Sequence, residues 1–100
     1  MADYHIDKIS DIIHGRLRLG VMAYLANAEA ASFTELKSAL NVTQGNLSVQ
    51  MRKLSDAGYI RIDKTFVGEK PLTTLHITPL GHKAFSNYLE ALSNVLGDVL

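Results

Sequence analysis

Short polar side chains with the chemistry to contact nucleic-acid bases cluster in the stretch 43–58. At helical period, one face of this stretch combines amide and hydroxyl groups, one methyl-bearing residue and a single long cation: Gln44, Gly45, Ser48, Val49 and Arg52. A purely solvated face would usually carry Glu and Lys at ion-pair spacing, and here no acid precedes Asp56. Helices that enter the DNA major groove use small and amide side chains at their N-termini. We therefore predict a recognition helix over about 44–57, with an amphipathic surface helix as the alternative.

Other chemistry has little support in the sequence. Cysteine is absent, which excludes disulfides, thiolate metal ligands and a cysteine nucleophile. The histidines, His5, His14, His76 and His82, are not closely paired with carboxylates as metal binding or acid–base catalysis would require. We expect no enzyme, no metal and no other cofactor, and a histidine-based metal sensor is the alternative.

Length and charge fit one small domain. One hundred residues allow a single hydrophobic core, and the net charge of zero is unlike that of most nucleic-acid binders, which are basic. The charges are nevertheless unevenly placed, because residues 43–72 hold five basic and three acidic residues while residues 1–15 are acidic on balance. The sequence contains neither a membrane-length apolar run nor a signal peptide, so we expect a cytoplasmic protein without membrane contact.

Two short helices position the predicted recognition face. Ser32 to Glu35 matches a capping box, and the helix it begins ends at Asn41 and Val42. Thr43 then serves as the N-cap of the recognition helix, which carries a core-facing stripe of Leu47, Met51 and Leu54 and ends before Gly58. This pattern predicts a helix-turn-helix.

A β-hairpin is predicted directly after this motif, over about 59–78. Ile60 and Ile62 alternate with Arg61 and Asp63, and a second alternating segment begins at Thr73. The segment between them, 67–71, is turn-forming and predicts a longer loop at the tip. A hairpin in this place is a wing.

Helices are also predicted at both ends of the chain and over about 16–28. Arg16 and Arg18 oppose the dipole at the start of the latter helix, so we expect an acidic or phosphate partner for at least one of them, or else solvent. The terminal helices, about 3–13 and 79–97, are predicted to form a dimer interface, because so wide an apolar stripe exceeds the patch that a monomer exposes. The alternative is a C-terminal helix folded wholly on its own core. The predicted interface residues are Ile6, Ile9, Ile13, Phe85, Tyr88, Leu89, Leu92, Val95 and Leu96.

The order of these elements resembles the compact winged helix-turn-helix transcriptional regulators of the MarR and ArsR type. The resemblance covers about residues 12–92 and is carried by four groups of residues: 33–36, 45–48 with 52–54 and 57–60, 66–68, and 78–81. It implies an α+β fold and a homodimer that binds a pseudo-palindromic operator in double-stranded DNA. Regulators of this type often have a small-molecule effector lodged between the winged domain and the dimer helices, where Tyr4, Phe85 and Tyr88 could line a pocket or simply form interface core, but no effector is identified. We predict a repressor, with an activator as the alternative.

The resemblance also assigns DNA-contacting positions. The matching residues are Thr34, Gln44, Gly45, Asn46, Ser48, Val49, Arg52 and Lys53, with Lys64 and Lys70 on the wing. Two departures stand out, because Glu69 makes the wing tip less basic than usual and Val49 replaces a commonly basic residue. Val49 is therefore expected to contact a thymine methyl group. The alternative function is a winged-helix module that binds protein and not DNA.

Overall fold

Four α-helices and a three-stranded antiparallel sheet make up residues 4–97, which are the residues that the computed structural model describes. This arrangement confirms the predicted α+β winged-helix class. A single 3-10 turn, Ile6–Lys8, precedes the first helix. The elements are α1 (Arg16–Ala28), β1 (Ala30–Ser32), α2 (Phe33–Leu40), α3 (Gln44–Asp56), β2 (Ile60–Val67), β3 (Lys70–Ile77) and α4 (Pro79–Leu96).

Each helix contributes apolar side chains to one core, with α1 at its centre. Val21, Met22 and Leu25 of α1 are completely buried, as are Leu36 of α2 and Leu47 of α3. The sheet closes this core through residues on one of its faces, which are Ile60, Leu75 and Ile77. The recognition helix predicted from the sequence is therefore held by its apolar stripe, and its opposite face is left at the surface.

The caps of the helix-turn-helix follow the predicted residue types. The backbone N–H of Glu35 donates to Ser32 Oγ at 3.0 Å, and the N–H of Asn46 donates to Thr43 Oγ1 at 3.2 Å. Asn41 ends α2 in the left-handed region at a φ of 52°. The Glu35 carboxylate accepts a hydrogen bond from the Tyr24 hydroxyl, which raises the pKa of Tyr24 above its ordinary value. Glu35 thereby ties α2 to α1.

The sheet has the order β1-β3-β2 and contains a strand that the sequence did not predict. Strand β1 pairs with residues 74–76 of β3, where Ala30 lies opposite His76 and Ser32 lies opposite Thr74. The predicted long loop at the hairpin tip is wrong, because β2 and β3 pair as far as Val67 and Lys70. Gly68 makes this tight turn possible, since its φ of 66° lies in the region that favours glycine.

The predicted amphipathic helix over 3–13 is not formed, although residue 3 lies outside the described residues. After the turn Ile6–Lys8, Ile9 is extended, and the Ser10 hydroxyl accepts from the backbone N–H of Ile13 at 3.2 Å. A serine side chain that accepts from a backbone N–H three residues later competes with propagation of a helix through the serine. A helix of about ten residues is marginal in water even without this competition. The N-terminal segment is therefore a series of turns.

Two of the predicted dimer-interface residues belong to the core of the chain itself. Ile13 is 0% exposed and Tyr88 is 1% exposed, so placing them at an interface with a second copy was wrong. The turn at Ser10 directs Ile13 inward, and His14 Nδ1 lies 2.9 Å from the Tyr88 hydroxyl oxygen. These contacts fasten α4 to the N-terminal segment, and Phe85 stacks on Tyr88 with ring centroids 6.3 Å apart.

Candidate nucleic-acid interface

The outward face of α3 presents the polar residues that the sequence singled out. Gln44, Gly45, Asn46, Arg52 and Lys53 are exposed, and so is Val49, whose apolar side chain is 53% exposed. Four of the predicted residues line one shallow surface depression, together with Asp56: Ser48, Val49, Arg52 and Lys53. The structure thus brings hydroxyl, methyl and cationic groups together on one helix surface.

The cations on α3 and on the wing differ in whether a carboxylate of the described residues neutralises them. Among residues 4–97, no ion pair involves Arg52, Lys53, Lys64 or Lys70. Arg61 differs, because its guanidinium contacts the Asp63 carboxylate at 3.2 Å. This hydrogen bond holds the pKa of Asp63 below its ordinary value. The unpaired cations are therefore the ones available to phosphate.

The first turn of α3 also offers backbone donors. The N–H of Asn46 is taken by the Thr43 side chain, and the N–H of Leu47 donates to the Thr43 carbonyl oxygen. The N–H groups of Gln44 and Gly45 precede these bonds and have no acceptor inside the helix. A Cβ atom placed on Gly45 would meet nothing within 4 Å, so this end of the helix is open to a close approach. Such N-termini favour phosphate oxygens.

Arg18 is partly buried and connects α3 to the N-terminal segment. Its Nε donates to the Ile12 carbonyl oxygen at 2.6 Å, and its guanidinium also donates to Gln50 Oε1 of α3 at 2.5 Å. The predicted acidic or phosphate partner is therefore replaced by carbonyl and amide oxygens. Arg16 is exposed and has no such partner among the described residues. Nothing in the sequence indicated that Gln50 would orient the helix.

The base of the wing is fixed to the end of α3. The Thr78 hydroxyl donates to the Gly58 carbonyl oxygen at 2.7 Å, and the Thr78 N–H donates to the Tyr59 carbonyl oxygen at 3.1 Å. The same hydroxyl accepts from the N–H of Gly81 at 2.9 Å. Thr78 therefore joins the end of α3, the end of β3 and the start of α4, so the wing is hydrogen-bonded to the recognition helix at its base.

The remaining predicted contacts lie around α3. Thr34 is exposed in the first turn of α2, and Lys64 and Lys70 are exposed on the two strands of the wing. Sequence reasoning did not identify the apolar wing tip, where Phe66 is 72% and Val67 is 66% exposed. Phe66 and Val67 lie beyond the core because the paired strands of the hairpin extend to them. The sequence prediction placed a loop over 67–71 and therefore made the paired hairpin too short.

The histidines serve separate contacts within the fold. His76 Nε2 lies 3.1 Å from Asp63 Oδ2, and His82 Nε2 lies 3.0 Å from Glu29 Oε2. His14 instead contacts the hydroxyl of Tyr88. In residues 4–97 no cluster of three or more potential metal ligands is present.

Comparison with known sequences places most of the chain in one family profile. Residues 17–96 match the profile described as a winged helix DNA-binding domain. An uncharacterised protein of Methanocaldococcus jannaschii is 33% identical over 78 residues, which are 78% of this chain and 85% of that protein. The family match over residues 17–96 includes the helix-turn-helix, the wing and all of α4.

Solved structures share the same architecture. A transcriptional regulator homologue from Pyrococcus horikoshii OT3 is 30% identical with a TM-score of 0.81, covering 87% of this chain and 86% of its own. A MarR family transcriptional regulator from Silicibacter pomeroyi has a TM-score of 0.64 at 13% identity, covering 95% of this chain and 66% of its own. The second likeness concerns the fold alone.

Proposed function

The chain belongs to the winged helix DNA-binding domain family, and we propose that it binds a pseudo-palindromic operator in double-stranded DNA as a homodimer. Family membership over residues 17–96 bears out the resemblance to winged helix regulators, and it makes the chain a DNA-binding regulator and not an enzyme. The dimer, the operator symmetry and the residues that touch DNA are the proposed part. Repression as the outcome stays a prediction.

One observation carries the DNA-contacting role of α3: its outward face is exposed, nearly free of acids and not used by the fold. Leu47 and Leu54 hold the opposite face in the core, while Arg52 and Lys53 have no carboxylate partner in the described part of the chain. The only acid on the outer surface of α3 is Asp56 at its C-terminal end. Asp56 lies about 18 Å along the axis from Gln44, so it does not oppose an approach by the helix N-terminus.

The proposed contacts divide into base reading and backbone positioning. Gln44 and Ser48 have the donors and acceptors to read base edges, and Val49 has the methyl groups to contact thymine. Arg52 and Lys53 are assigned to phosphates, with Thr34 and Asn46 adding neutral hydrogen bonds to the backbone. On the wing, Lys64 and Lys70 are assigned to phosphates next to the site of helix insertion.

Gln44→Ala is expected to relax base preference at one position of each half-site, because an amide that reads a base bidentately is worth about 1–3 kcal/mol of discrimination. The measurement is selection of bound duplexes from a random library, followed by sequencing. Lys64→Ala is the control, since loss of a phosphate contact should weaken binding to every DNA sequence without changing the order of their affinities. An unchanged preference in Gln44→Ala would remove this residue from base reading.

The dimer is proposed from the length and exposure of α4. The helix has 18 residues, about 27 Å, and its contacts within the chain are chiefly to α1 and the N-terminal turn. Leu89 is 47% exposed, and Leu92, Val95 and Leu96 are only partly buried. The radius of gyration is 14.9 Å, compared with about 13 Å for a domain of this length, so the molecule is extended.

The N-terminal turn adds further apolar surface to the same proposed interface. Ile6 is 71% exposed, Ile9 is half-buried, and the turn packs against α4. Tyr88 is buried whereas Tyr4 is 76% exposed, so these two residues do not share a pocket within the monomer. An effector site between the dimer helices and the winged domain stays a prediction.

Leu89→Glu is expected to convert the dimer to a monomer, because a carboxylate buried in an apolar interface has no partner. Sedimentation velocity measures this directly. Leu80→Glu is a matched control: Leu80 is also on α4 and is 54% exposed, but nine residues away it projects from the opposite side of the helix. A wild-type monomer, or equal effects of the two substitutions, would contradict the proposed interface.

A protein-binding module remains the rival function for the same fold. Zero net charge and Glu69 in the wing favour it, whereas the unpaired cations of α3 favour DNA.

None of the helices in residues 4–97 is long and apolar enough to cross a membrane. A cytoplasmic location stays a prediction.

A further inference from the structure

We propose that the wing tip is an apolar wedge, in which Phe66 enters the DNA minor groove beside each half-site and partly unstacks a base step. This inference rests on the proposed function, since it assumes that α3 binds the adjacent major groove. It adds a role that phosphate contacts by the wing do not provide. That role is to bend the duplex and to favour sequences that bend easily.

The wing reaches beyond the body of the protein. Strand β1 covers only Thr74–His76 of β3, whereas the pairing of β2 with β3 continues to Val67 and Lys70. The outer part of the hairpin, 64–73, is therefore a two-stranded ribbon without a third strand. Each of its strands extends about 13 Å past the end of β1.

The face of the ribbon that carries Phe66 continues the face that covers the core. Directly paired residues of an antiparallel ribbon point to the same side, and so do residues two apart along a strand. Ile62 pairs with Leu75 over the helices, and the next pairs outward are Lys64 with Thr73 and Phe66 with Pro71. The face thus changes from buried aliphatic residues to a lysine–threonine pair and ends in a phenylalanine–proline pair.

Phe66 lies outside the hydrophobic core of residues 4–97, so core packing does not explain an aromatic residue there. Its side chain is 72% exposed, and in residues 4–97 no aromatic ring stacks on it. Pro71 beside it adds apolar surface and has no N–H to donate. Large apolar groups at the tip of a projecting ribbon usually mark a contact surface.

The charges and the position of the wing tip favour DNA as the molecule that it contacts. Lys64 shares the face of Phe66, and Lys70 pairs with Val67 on the other face of the tip. Neither lysine forms an ion pair in the described residues, and together they outweigh the single acid Glu69. The Thr78 hydrogen bonds join the base of the wing to the end of α3, so the tip is continuous with the candidate interface. A two-stranded ribbon is too broad for the minor groove, which is about 6 Å wide, but a single aromatic side chain is not.

An inserted aromatic ring has a defined effect on the duplex. Phe, Leu, Ile, Met and Pro side chains between base steps unstack them and bend DNA toward the major groove. Pyrimidine–purine steps such as TA unstack most easily, so the wedge selects for them without a base-specific hydrogen bond. Lys64, on the same face as Phe66, and Lys70, on the other face of the tip, then contact phosphates of the bent backbone.

The experiment compares wild-type protein with Phe66→Ala on a duplex of about 24 base pairs, about 80 Å long, with TA steps in each helical turn and dyes at both ends. Binding is followed by anisotropy, and bending by energy transfer between the ends. Val67→Ala is the control, because Val67 is 66% exposed at the same tip but on the other face. Both substitutions remove exposed side chains, and circular dichroism should be unchanged for each.

We expect wild type and Val67→Ala to shorten the end-to-end distance on binding, and Phe66→Ala to bind about tenfold more weakly without shortening it. Phe66→Leu should retain most of the bend. Equal bending by wild type and Phe66→Ala overturns the wedge while leaving DNA binding intact. A change in sedimentation of Phe66→Ala without DNA also overturns it, because the tip would then contact a second copy. Failure of wild-type protein to bind any duplex overturns the proposed function itself.

Discussion

Gly81→Ala is expected to destabilise the fold by about 3 kcal/mol, because the added methyl group would overlap a backbone atom that cannot move aside. A Cβ atom on Gly81 would lie 2.1 Å from the Tyr59 carbonyl oxygen and 3.1 Å from Ile77 Cγ1. That carbonyl oxygen accepts from the N–H of Thr78, so moving it breaks the junction between α3, the wing and α4. Denaturant unfolding monitored by circular dichroism measures the change.

Gly45→Ala provides the control for this prediction, since Gly45, like Gly81, lies in the first turn of a helix. Nothing lies within 4 Å of a Cβ atom placed there, and its φ is not positive. Alanine should therefore leave stability unchanged or raise it by about 0.5–1 kcal/mol. If both variants unfolded at the same denaturant concentration as wild type, the close packing of α4 on the α3–β2 turn would be refuted.

Arg52→Ala combined with Lys53→Ala is expected to have the largest effect on DNA affinity. Both side chains are exposed on α3 without an ion-pair partner in the described residues, so their positive charge is available to phosphate. Each lost phosphate contact lowers the dependence of log affinity on log salt by about 0.9, and a dimer loses four contacts. The salt slope should therefore fall by about 3.6, with weaker binding to every sequence.

A second double variant controls for the loss of charge. Lys8→Ala with Lys83→Ala also removes two positive charges, but from the surface near the start of α4. There Lys8 and Lys83 line one depression with Tyr59 and Leu80. This variant should bind DNA with nearly the wild-type affinity and salt slope. If the two double variants weakened binding equally, net charge and not the surface of α3 would determine affinity.

The elements that the sequence predicted well are those with local signals. Thr43 and Ser32 are N-caps whose side chains accept the expected backbone hydrogen bonds. The apolar spacing in α3 placed Leu47 and Leu54 in the core and the polar residues outside. Capping and helical periodicity depend on residues within one or two turns, so they can be read without knowledge of the tertiary fold.

The elements that were missed depend on distant contacts. Strand β1 is only Ala30–Ser32 and has no alternation of its own, because it forms by pairing with β3 far along the chain. The isoleucines of the N-terminal segment suggested a helix, yet the Ser10 side chain and the packing of Ile13 favour turns. The burial of Tyr88 likewise depends on that segment, since helical spacing does not distinguish a chain's own core from a dimer interface.

The candidate site shows the same division between local and long-range information. Residue types on α3 identified its outer face, but the Arg18 contact with Gln50 joins elements that are not adjacent in sequence. The exposure of Phe66 depends on a hairpin whose length is set by Gly68 and by the pairing of its strands. No local pattern reports how far such a ribbon projects.

The most direct test of DNA binding through α3 is an anisotropy titration of labelled duplex DNA at low and moderate salt. Phosphate contacts by Arg52, Lys53, Lys64 and Lys70 in both protomers predict a slope of log affinity against log salt of about −7. The Arg52→Ala, Lys53→Ala variant should reduce this slope to about −3.5. Absence of binding at low salt, or the same slope in the variant, would contradict the assignment of α3 to DNA.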